Sequence, residues 1–275
     1  MRYNRLLSSK TLLIWGYFLY SSLIISCQKV ITINIDNNNT VPVIEAHIEK
    51  DSLCYVLLTS TVDIFHPEFP PFIENARITI SDDQGNQEML YYQGIGIYRG
   101  RHIIGVEGRT YTLSVTINEK EYKVRSHMPS FVAIDNFRLQ SDTTFLPSTF
   151  YVNNNVYLFY EDPAHIANFY YIKIKQFSSL GNTTTRNFLV DDLTNNGTYV
   201  DFPIVYQDLE AGDILSAEFR SINRTLFDYY LSMEDALSFN NLTNAAPANP
   251  NPMFSNGALG YFGTWSADRT VFVVR

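Results

Sequence analysis

Few residues in this chain stand in patterns that do chemistry, and the clearest is a cysteine. Cys27 follows Ile24-Ile25-Ser26, and ahead of it lie Arg2, Arg5 and Lys10, then an apolar stretch from Thr11 to Ile25. A basic start followed by an apolar middle is the plan of an export signal. The apolar stretch is shorter than the roughly 18–20 residues that span a bilayer as a helix. A small residue directly before a cysteine, after two branched aliphatics, is the pattern of a bacterial lipobox. The thiol of Cys27 then takes a diacylglyceryl group, and cleavage makes it the first residue of the processed chain. The alternative is an anchor helix whose end happens to hold a cysteine; spacing, flanking charge and the Ser-Cys pair together favour the lipobox. One acyl chain holds a protein only marginally and two hold it stably, so Cys27 is expected to tether the body to a membrane.

The remaining reactive types are scattered. Cys54 is the only other cysteine, so no intramolecular disulfide forms and packing must supply the stability. It sits in the strand-like run Leu53-Cys54-Tyr55-Val56-Leu57-Leu58-Thr59, with no histidine or basic residue adjacent, and reads as a small buried apolar side chain. The five histidines, His47, His66, His102, His127 and His165, include no pair at metal-ligand spacing. No His-Glu-x-x-His, Gly-x-Ser-x-Gly or glycine-rich phosphate loop is present. Three acidic pairs remain, Asp82-Asp83, Glu161-Asp162 and Asp191-Asp192. Asp82-Asp83-Gln84-Gly85-Asn86 offers oxygen ligands for calcium but lacks the alternation and distal glutamate of an EF-hand, and a hairpin turn is the better reading. Asn196-Gly197 after the third pair is also a turn signal. Adjacent residues of a strand point to opposite faces, which argues against paired acid/base work on a glycan. No catalytic residue, metal site or cofactor is expected.

The elements that hold these residues are mainly strands. Between Val41 and Met128 the candidates are Val41–Glu49, Leu53–Val62, Ala76–Ser81, Gln87–Tyr92, Ile95–Gly100, Thr110–Asn118 and Tyr122–Ser126, divided by turn signals. Tyr111, Leu113, Val115 and Ile117 alternate with Thr112, Ser114 and Thr116, the period of a sheet with one dry and one wet face. Short, evenly spaced strands argue for an antiparallel β-sandwich over 41–128. Met128-Pro129 breaks the pattern and marks the boundary, since proline stops a ladder and holds its predecessor extended. A second β-rich domain, 129–275, is expected with strands near Val132–Gln140, Tyr151–Glu161, Asn168–Phe177, Arg186–Val190 and Asp213–Ser221, and with closing strands Gly257–Trp265 and Thr270–Val274. One amphipathic helix near 225–239 carries Leu226, Tyr230, Met233 and Leu237 on one stripe, with Thr225 as N-cap and Asp228 three residues on. The stripe is expected to pack on a sheet rather than hold a cofactor. Residues 1–27 form the signal and 28–40 an Asn-rich tether.

Composition limits the partners. The chain's net charge of -8 becomes -11 once the signal is removed, because residues 1–27 hold three basic residues and no acid. Such an acidic exported body suits neither nucleic acid nor anionic lipid headgroups.

Several segments together resemble a family of Bacteroidota lipoproteins, domain of unknown function family 4249. They are Val43-Ile44-Glu45-Ala46-His47-Ile48, Leu57 to Thr61, Asn75 to Gly85, Gly96-Ile97-Tyr98, Gly108 to Leu113, Met128-Pro129, Asn168 to Tyr171, and the closing block from Asn249-Pro250 through Asn256-Gly257-Ala258-Leu259-Gly260-Tyr261-Phe262-Gly263. The closing block is the most specific of these. Ala46 departs from the family's usual glycine and implies a more regular strand. The resemblance implies a first domain similar to carboxypeptidase regulatory-like or transthyretin-like sandwiches, and gene neighbourhoods that hold TonB-dependent outer-membrane receptors. It implies no activity. Asp51-Ser52-Leu53 and Asp142-Thr143-Thr144 are similar to O-glycan acceptor tripeptides of exported proteins in that group, which makes Ser52 and Thr143 candidate modification sites.

The expected function is therefore a non-enzymatic accessory lipoprotein of an outer-membrane receptor or uptake system. A binder of glycan or of a small ligand at an exposed aromatic surface is the alternative, and a hydrolase lacks a nucleophile or metal set. Asn249, Pro250, Pro252, Asn256, Tyr261 and Phe262 are candidate partner-binding residues, since a proline-stiffened loop loses little entropy on ordering and tyrosine and phenylalanine are good anchors. The other reading is that this block tucks across the second domain's core. Gln28-Lys29-Val30 after Cys27 carries no acid, which tilts the lipid-anchored body toward the periplasmic face of the outer membrane rather than the cell surface.

Overall fold

The computed structural model describes residues 40–62, 69–146, 149–206, 209–237 and 249–275. Cys27, the signal, the tether up to Asn39 and His66 lie outside the described residues. Residues 40–275 form one compact unit.

Eight strands come from the first half: β1 (Pro42–Glu49), β2 (Leu53–Ser60), β3 (Arg77–Asp82), β4 (Gln87–Met89), β5 (Tyr91–Gly94), β6 (Ile97–Ile104), β7 (Thr110–Ile117) and β8 (Lys120–His127). The second half gives β9 (Asn136–Leu146), β10 (Thr149–Glu161), β11 (Phe169–Phe177), β12 (Thr183–Asp191), β13 (Tyr199–Tyr206), β14 (Ile214–Ile222), helix α1 (Arg224–Leu237) and β15 (Leu259–Val273). The alternation seen in the sequence sets which face of each strand is dry. In β1, Ile44, Ala46 and Ile48 are fully buried, and in β7 the same holds for Tyr111, Leu113 and Val115. Ala46 pairs regularly on both sides, with Val56 and with Phe262.

Three sheets result. The largest has eight strands in the order β12-β11-β14-β15-β1-β2-β6-β5; the others are β4-β3-β7-β8 and β13-β10-β9. One core joins β1, β2 and β6 to β3, β7 and β8. A second joins β11, β14 and the end of β15 to β10 and β13. The chain is thus mainly β, and its described residues form two sandwich-like halves with one helix.

Strand β15 links the halves. Its first part, Leu259–Trp265, pairs in parallel with Val43–Glu49 of β1. Its second part, Ser266–Val273, pairs antiparallel with Ser221–Ile214 of β14. Two closing strands were expected here; a single strand of 15 residues stands in their place. It contributes the parallel pair that the first 128 residues, antiparallel among their own named strands, do not contain. Gly260 makes the approach possible: it has φ +99°, and a Cβ there would lie 2.1 Å from the Ile44 carbonyl oxygen. The segment around 254–262 correspondingly belongs to the first core, through Phe254, Ala258 and Phe262. The reading in which the closing block covers the second domain's core is corrected on this point.

Between the two cores the dry face turns polar. Along β15 the inward positions run Phe262, Thr264, Ser266, Asp268. Thr264 and Ser266 are buried with Ser126 of β8 and Ser221 of β14. The Ser126 and Thr264 hydroxyls lie 2.9 Å apart, and Thr264 Oγ1 donates to the His127 carbonyl at 2.7 Å. The Asn223 amide donates to Ser126 Oγ and to the His127 carbonyl, each at 2.8 Å. Asp268 accepts from the Ile134 amide at 2.8 Å and so fixes the linker that leaves Pro129.

Other local differences have clear causes. The expected strand Gln87–Tyr92 divides at buried Leu90, so β4 joins β3 while β5 joins β6. Strand β13 is not among the expected strands; it contains Pro203 and lies at the edge of its sheet beside β10, and an edge is where proline is tolerated. The helix begins one residue earlier than expected, and its N-cap is Asn223, whose Oδ1 accepts from the Leu226 amide at 3.0 Å. Thr225 is not the cap, and Asp228 pairs instead with Arg224 one turn back. Leu226, Phe227, Tyr229 and Tyr230 are the buried side chains, whereas Leu237 is exposed. The helix packs on the outer face of the large sheet, against Phe169, Tyr171, Tyr261 and Trp265.

Candidate functional site

The outer face of the eight-stranded sheet gathers side chains that strand-by-strand reading leaves separate. β1 offers Glu45, His47 and Glu49 there, β2 offers Tyr55, β6 Arg99, β14 Glu218 and Arg220, and β11 Tyr171. Cross-strand neighbours on one face interact directly, and here they form a ladder running across the strands. Arg99 lies over the Tyr55 ring at 5.6 Å. The Tyr55 ring is 5.2 Å from His47, and His47 stacks on Trp265 at 5.1 Å. Arg220 lies over Trp265 at 4.3 Å and over Tyr171 at 5.4 Å. Tyr171 then stacks on Tyr230 of α1 at 4.9 Å. At the opposite end, Arg101 lies 3.8 Å over Tyr91 of the edge strand β5. Cation–π contacts of this kind contribute about 0.5–2 kcal/mol each, more as water is excluded.

Two local devices position the ladder. Gly263 is one: a Cβ there would stand 2.2 Å from Cζ3 of Trp265, so the missing side chain lets the indole lie along its own strand beside His47. The other is a bulge in β6. Its register against β2 shifts between Leu53 and Tyr55, and the Glu88 carboxylate accepts the freed amides of Arg101, His102 and Ile103, each at 3.0 Å. Bulges re-aim side chains, and this one sits at the Arg99–Arg101 end.

A charge network runs beside the rings. Arg269 donates to both oxygens of Glu49, at 2.6 and 2.9 Å, and to Glu218 at 2.8 Å; Arg220 donates to Glu218 at 2.9 Å. The Trp265 indole N–H reaches Glu49 at 3.3 Å. Burial, with Arg220 next, lowers the His47 pKa to about 4. The imidazole is therefore neutral at pH 7 and serves as a flat ring rather than a charge. Tyr230 of α1 and Trp265 are buried where the helix packs on the sheet, while Arg99 and Arg101 are exposed and Tyr91, Tyr55 and His47 are half-buried. The open end thus presents aromatic surface between guanidinium groups. Such a surface can stack on planar or carbohydrate rings and can accept tyrosine-, tryptophan- and arginine-type contacts from a protein.

The sequence-expected residues are placed differently. Phe262 is fully buried in the first core, and Tyr261 is half-buried beneath α1, 5.6 Å from Tyr229. Burial, together with Glu45, raises the Tyr261 phenol to about 12. Asn256 is exposed but its amide donates to the Glu121 carbonyl at 2.7 Å. Asn249 and Pro252 are exposed and Pro250 is half-buried. The six residues do not form one surface. Ser52 is exposed in the β1–β2 turn, which follows Asp51 at φ 60°. Thr143 lies on β9 opposite Val152.

The acidic pairs are engaged as structure. Asp82 accepts from the amides of Gln84 and Asn86 and from the Asn86 side chain and Arg109, which closes the hairpin turn. Burial opposes its charge, but the bonds from Asn86 and Gln84 and the Arg109 guanidinium outweigh this and hold the carboxyl below its ordinary range. Asp162 takes the Tyr170 hydroxyl at 2.5 Å and the Gly197 amide at 3.0 Å, and Asp192 takes the Asn168 amide at 2.8 Å. Cys54 is fully buried, and burial pushes its thiol up. Among the described residues no group of three or more histidine, cysteine or carboxylate side chains is gathered as metal ligands would be.

A family model described as Domain of unknown function (DUF4249) matches residues 28–270. No curated protein matches the chain. Among solved structures, a cytokine receptor complex is 10% identical with a TM-score of 0.24, covering 82% of this chain and 94% of that one. The chicken interferon gamma receptor alpha chain is 8% identical with a TM-score of 0.17, covering 66% of this chain and 89% of that one. Likeness at this level carries no argument about function.

Proposed function

The chain belongs to the DUF4249 family, and from that premise we propose that it is a non-enzymatic lipoprotein of the bacterial outer membrane, an accessory of a TonB-dependent receptor or uptake system. Cys27 carries the lipid, and the β body binds the partner through the outer face of its large sheet. The observation that carries this reading is the ladder from Tyr91 to Tyr171, whose open end offers tyrosine and arginine together. Tyrosine, tryptophan and arginine dominate the energetics of protein interfaces. Strand β15 ties both cores together, so a partner seated on this face meets a pre-ordered surface and orders little on binding. The test is co-purification of the tagged full chain from membranes, alongside a Tyr55→Ala/Arg99→Ala variant. Recovery of an outer-membrane receptor with the parent and its loss with the variant is expected. Recovery of the chain with no such receptor overturns the proposal.

The half-buried ring of Tyr91, with Arg101 lying over it, also favours a second reading, a glycan- or small-ligand-binding lipoprotein. A ligand screen by thermal shift separates the two, since an unliganded adaptor gains no stability from sugars.

A further inference from the structure

The end of the first sandwich at which the chain enters its fold carries apolar side chains turned outward. Phe69 is 95% exposed, Ile95 62% and Phe72 47%, and Val62 and Tyr92 are exposed as well. Strand ends bring these residues together. The Thr61 amide donates to the Val41 carbonyl at 2.9 Å, the Ser60 amide to the Pro71 carbonyl at 3.0 Å, and the Leu58 amide to the Gly96 carbonyl at 2.9 Å. The start of β1, the segment Phe69–Phe72 and the β5–β6 turn thus meet at the end of β2. A Cβ on Gly96 would lie 3.0 Å from Cδ1 of Phe72, so this ring rests on the turn. Thr40 and Pro42, the first described residues of the chain, share a cleft with Phe72.

Two features show that these side chains are held outward. Pro70 and Pro71 fix the backbone between the two phenylalanines. Phe72 bridges to Thr59, and the Tyr98 hydroxyl donates to the Ile73 carbonyl at 3.0 Å and accepts from the Ala76 amide at 3.1 Å, which pins the segment to β2 and β6. The other feature is the turn itself. Ile95 and Gly96 have φ 45° and 72°. Positive φ at both central residues of a hairpin calls for Asn, Asp or Gly, and a β-branched side chain there is an outlier. An isoleucine kept against the preference of its backbone, at an exposed tip beside a phenylalanine, fits an apolar contact outside the chain.

The chain ahead of the fold indicates what makes that contact. Thirteen residue steps separate Cys27 from Thr40, about 45 Å at full extension. Strand β15 starts beside Val43 and carries the body away from this end over 15 residues, about 50 Å. A lipid on Cys27 therefore keeps the Phe69–Ile95 end, not the far end of β15, nearest to a bilayer. Glu74 and Lys120 line the cleft beside the patch, one charge of each sign, which suits zwitterionic rather than anionic headgroups. Exposed Tyr92 is of the type found where apolar and polar layers meet. We propose that Phe69, Phe72 and Ile95 are a foot that seats the body in the surface of a zwitterionic bilayer, next to its lipid tether. The proposal rests on the reading of Cys27 as the lipidated residue.

The test holds residues 28–275 on vesicles of phosphatidylcholine and phosphatidylethanolamine, through a hexahistidine ahead of Gln28 and a nickel-chelating lipid. Its outcome does not depend on Cys27, whose labelling by a fatty-acid probe reports the anchor separately. Residues 40–275 form one compact unit, which the missing leader leaves whole. Phe69→Trp and Val271→Trp each add an exposed indole, at the entry end and near the far end of β15, to the buried Trp265 that both variants share. On vesicles the Phe69→Trp emission should shift to the blue, and brominated lipid should quench it severalfold more than that of Val271→Trp. Adding Ile95→Asn to Phe69→Trp relieves the turn, so it should weaken the quenching without lowering Tm. Absence of quenching in Phe69→Trp, or equal quenching in the two indole variants, overturns the proposal. An unquenched indole, together with a protein that Phe69→Ser/Phe72→Ser strips from the tagged chain in membranes, assigns this end to a protein partner and overturns it as well.

Discussion

Acidification should unsettle the ladder through His47. In the folded chain its imidazole lies between Tyr55 and Trp265, with a pKa lowered to about 4 from the ordinary 6.5. The charged groups around it are Arg220 and Arg99, which oppose a proton, and Glu49 and Glu218, which favour one. Between pH 6.5 and 4 the unfolded chain binds a proton at this residue that the folded chain refuses, so stability falls as pH falls through that window and levels off below it. The whole window spans at most about 3 kcal/mol at 1.36 kcal/mol per unit. From pH 7 to pH 5 the loss is about 2 kcal/mol, or about 4–8 °C in Tm for a body of this size. The control is His47→Phe, which keeps a ring on Trp265 and cannot titrate. The chain has two tryptophans, Trp15 and Trp265, so in the chain processed at Cys27 indole fluorescence reports this site alone. Melting of parent and variant is followed at pH 7, 6 and 5 by that signal. The parent should lose the extra degrees, and the difference between the two curves should be constant above pH 7 and change below it. Parallel pH profiles for parent and His47→Phe would show that the imidazole is not held neutral by burial and that the stacking argument is wrong.

Gly263→Ala should drive the Trp265 ring off His47, lower stability by about 1–3 kcal/mol as an overpacked site does, and shift indole emission to the red; an unshifted spectrum refutes the close approach. Asn223→Ala removes the helix cap and the bonds to Ser126, Thr264 and the His127 carbonyl, for a loss of about 2–3 kcal/mol in denaturant unfolding. Asn223→Asp retains the cap and should recover about 1 kcal/mol of that; equal losses in the two variants would mean that the cap contributes nothing. Cys27→Ala should abolish labelling by a fatty-acid probe, and retained labelling refutes the lipobox. Mass spectrometry of envelope-derived protein should find a glycan on exposed Ser52, with unmodified Ser52 and Thr143 ending that reading.

The strands that alternate cleanly were legible because alternation is local: β1, β2, β7 and β11 each declare one dry face. What joins them was not, since it depends on register between segments far apart in sequence. β15 was divided into two because Ser266-Ala267-Asp268 reads as a polar interruption, and on one strand alone it is. In the fold those residues are the belt where β15 leaves β1 and takes up β14, and Ser266 and Asp268 face the seam between two cores rather than water. The same reason hid the ladder. His47, Tyr55, Arg220 and Trp265 each sit at ordinary outward positions, and only the parallel pairing of Glu49 with Trp265 sets the indole beside the imidazole. The signal that existed was Gly263, in the closing block Gly260-Tyr261-Phe262-Gly263. It is not a turn residue: nothing about its φ is unusual, and its missing side chain is space that Trp265 occupies. A glycine inside a strand, two residues before a tryptophan, marks a place where a large ring lies down on the backbone. Gly260, by contrast, is required by the backbone, with φ +99° against the Ile44 carbonyl. One glycine in Gly260-Tyr261-Phe262-Gly263 lets the closing strand join the first sandwich, and the other lets its tryptophan anchor the ladder, so the block serves to assemble the face rather than to be the face.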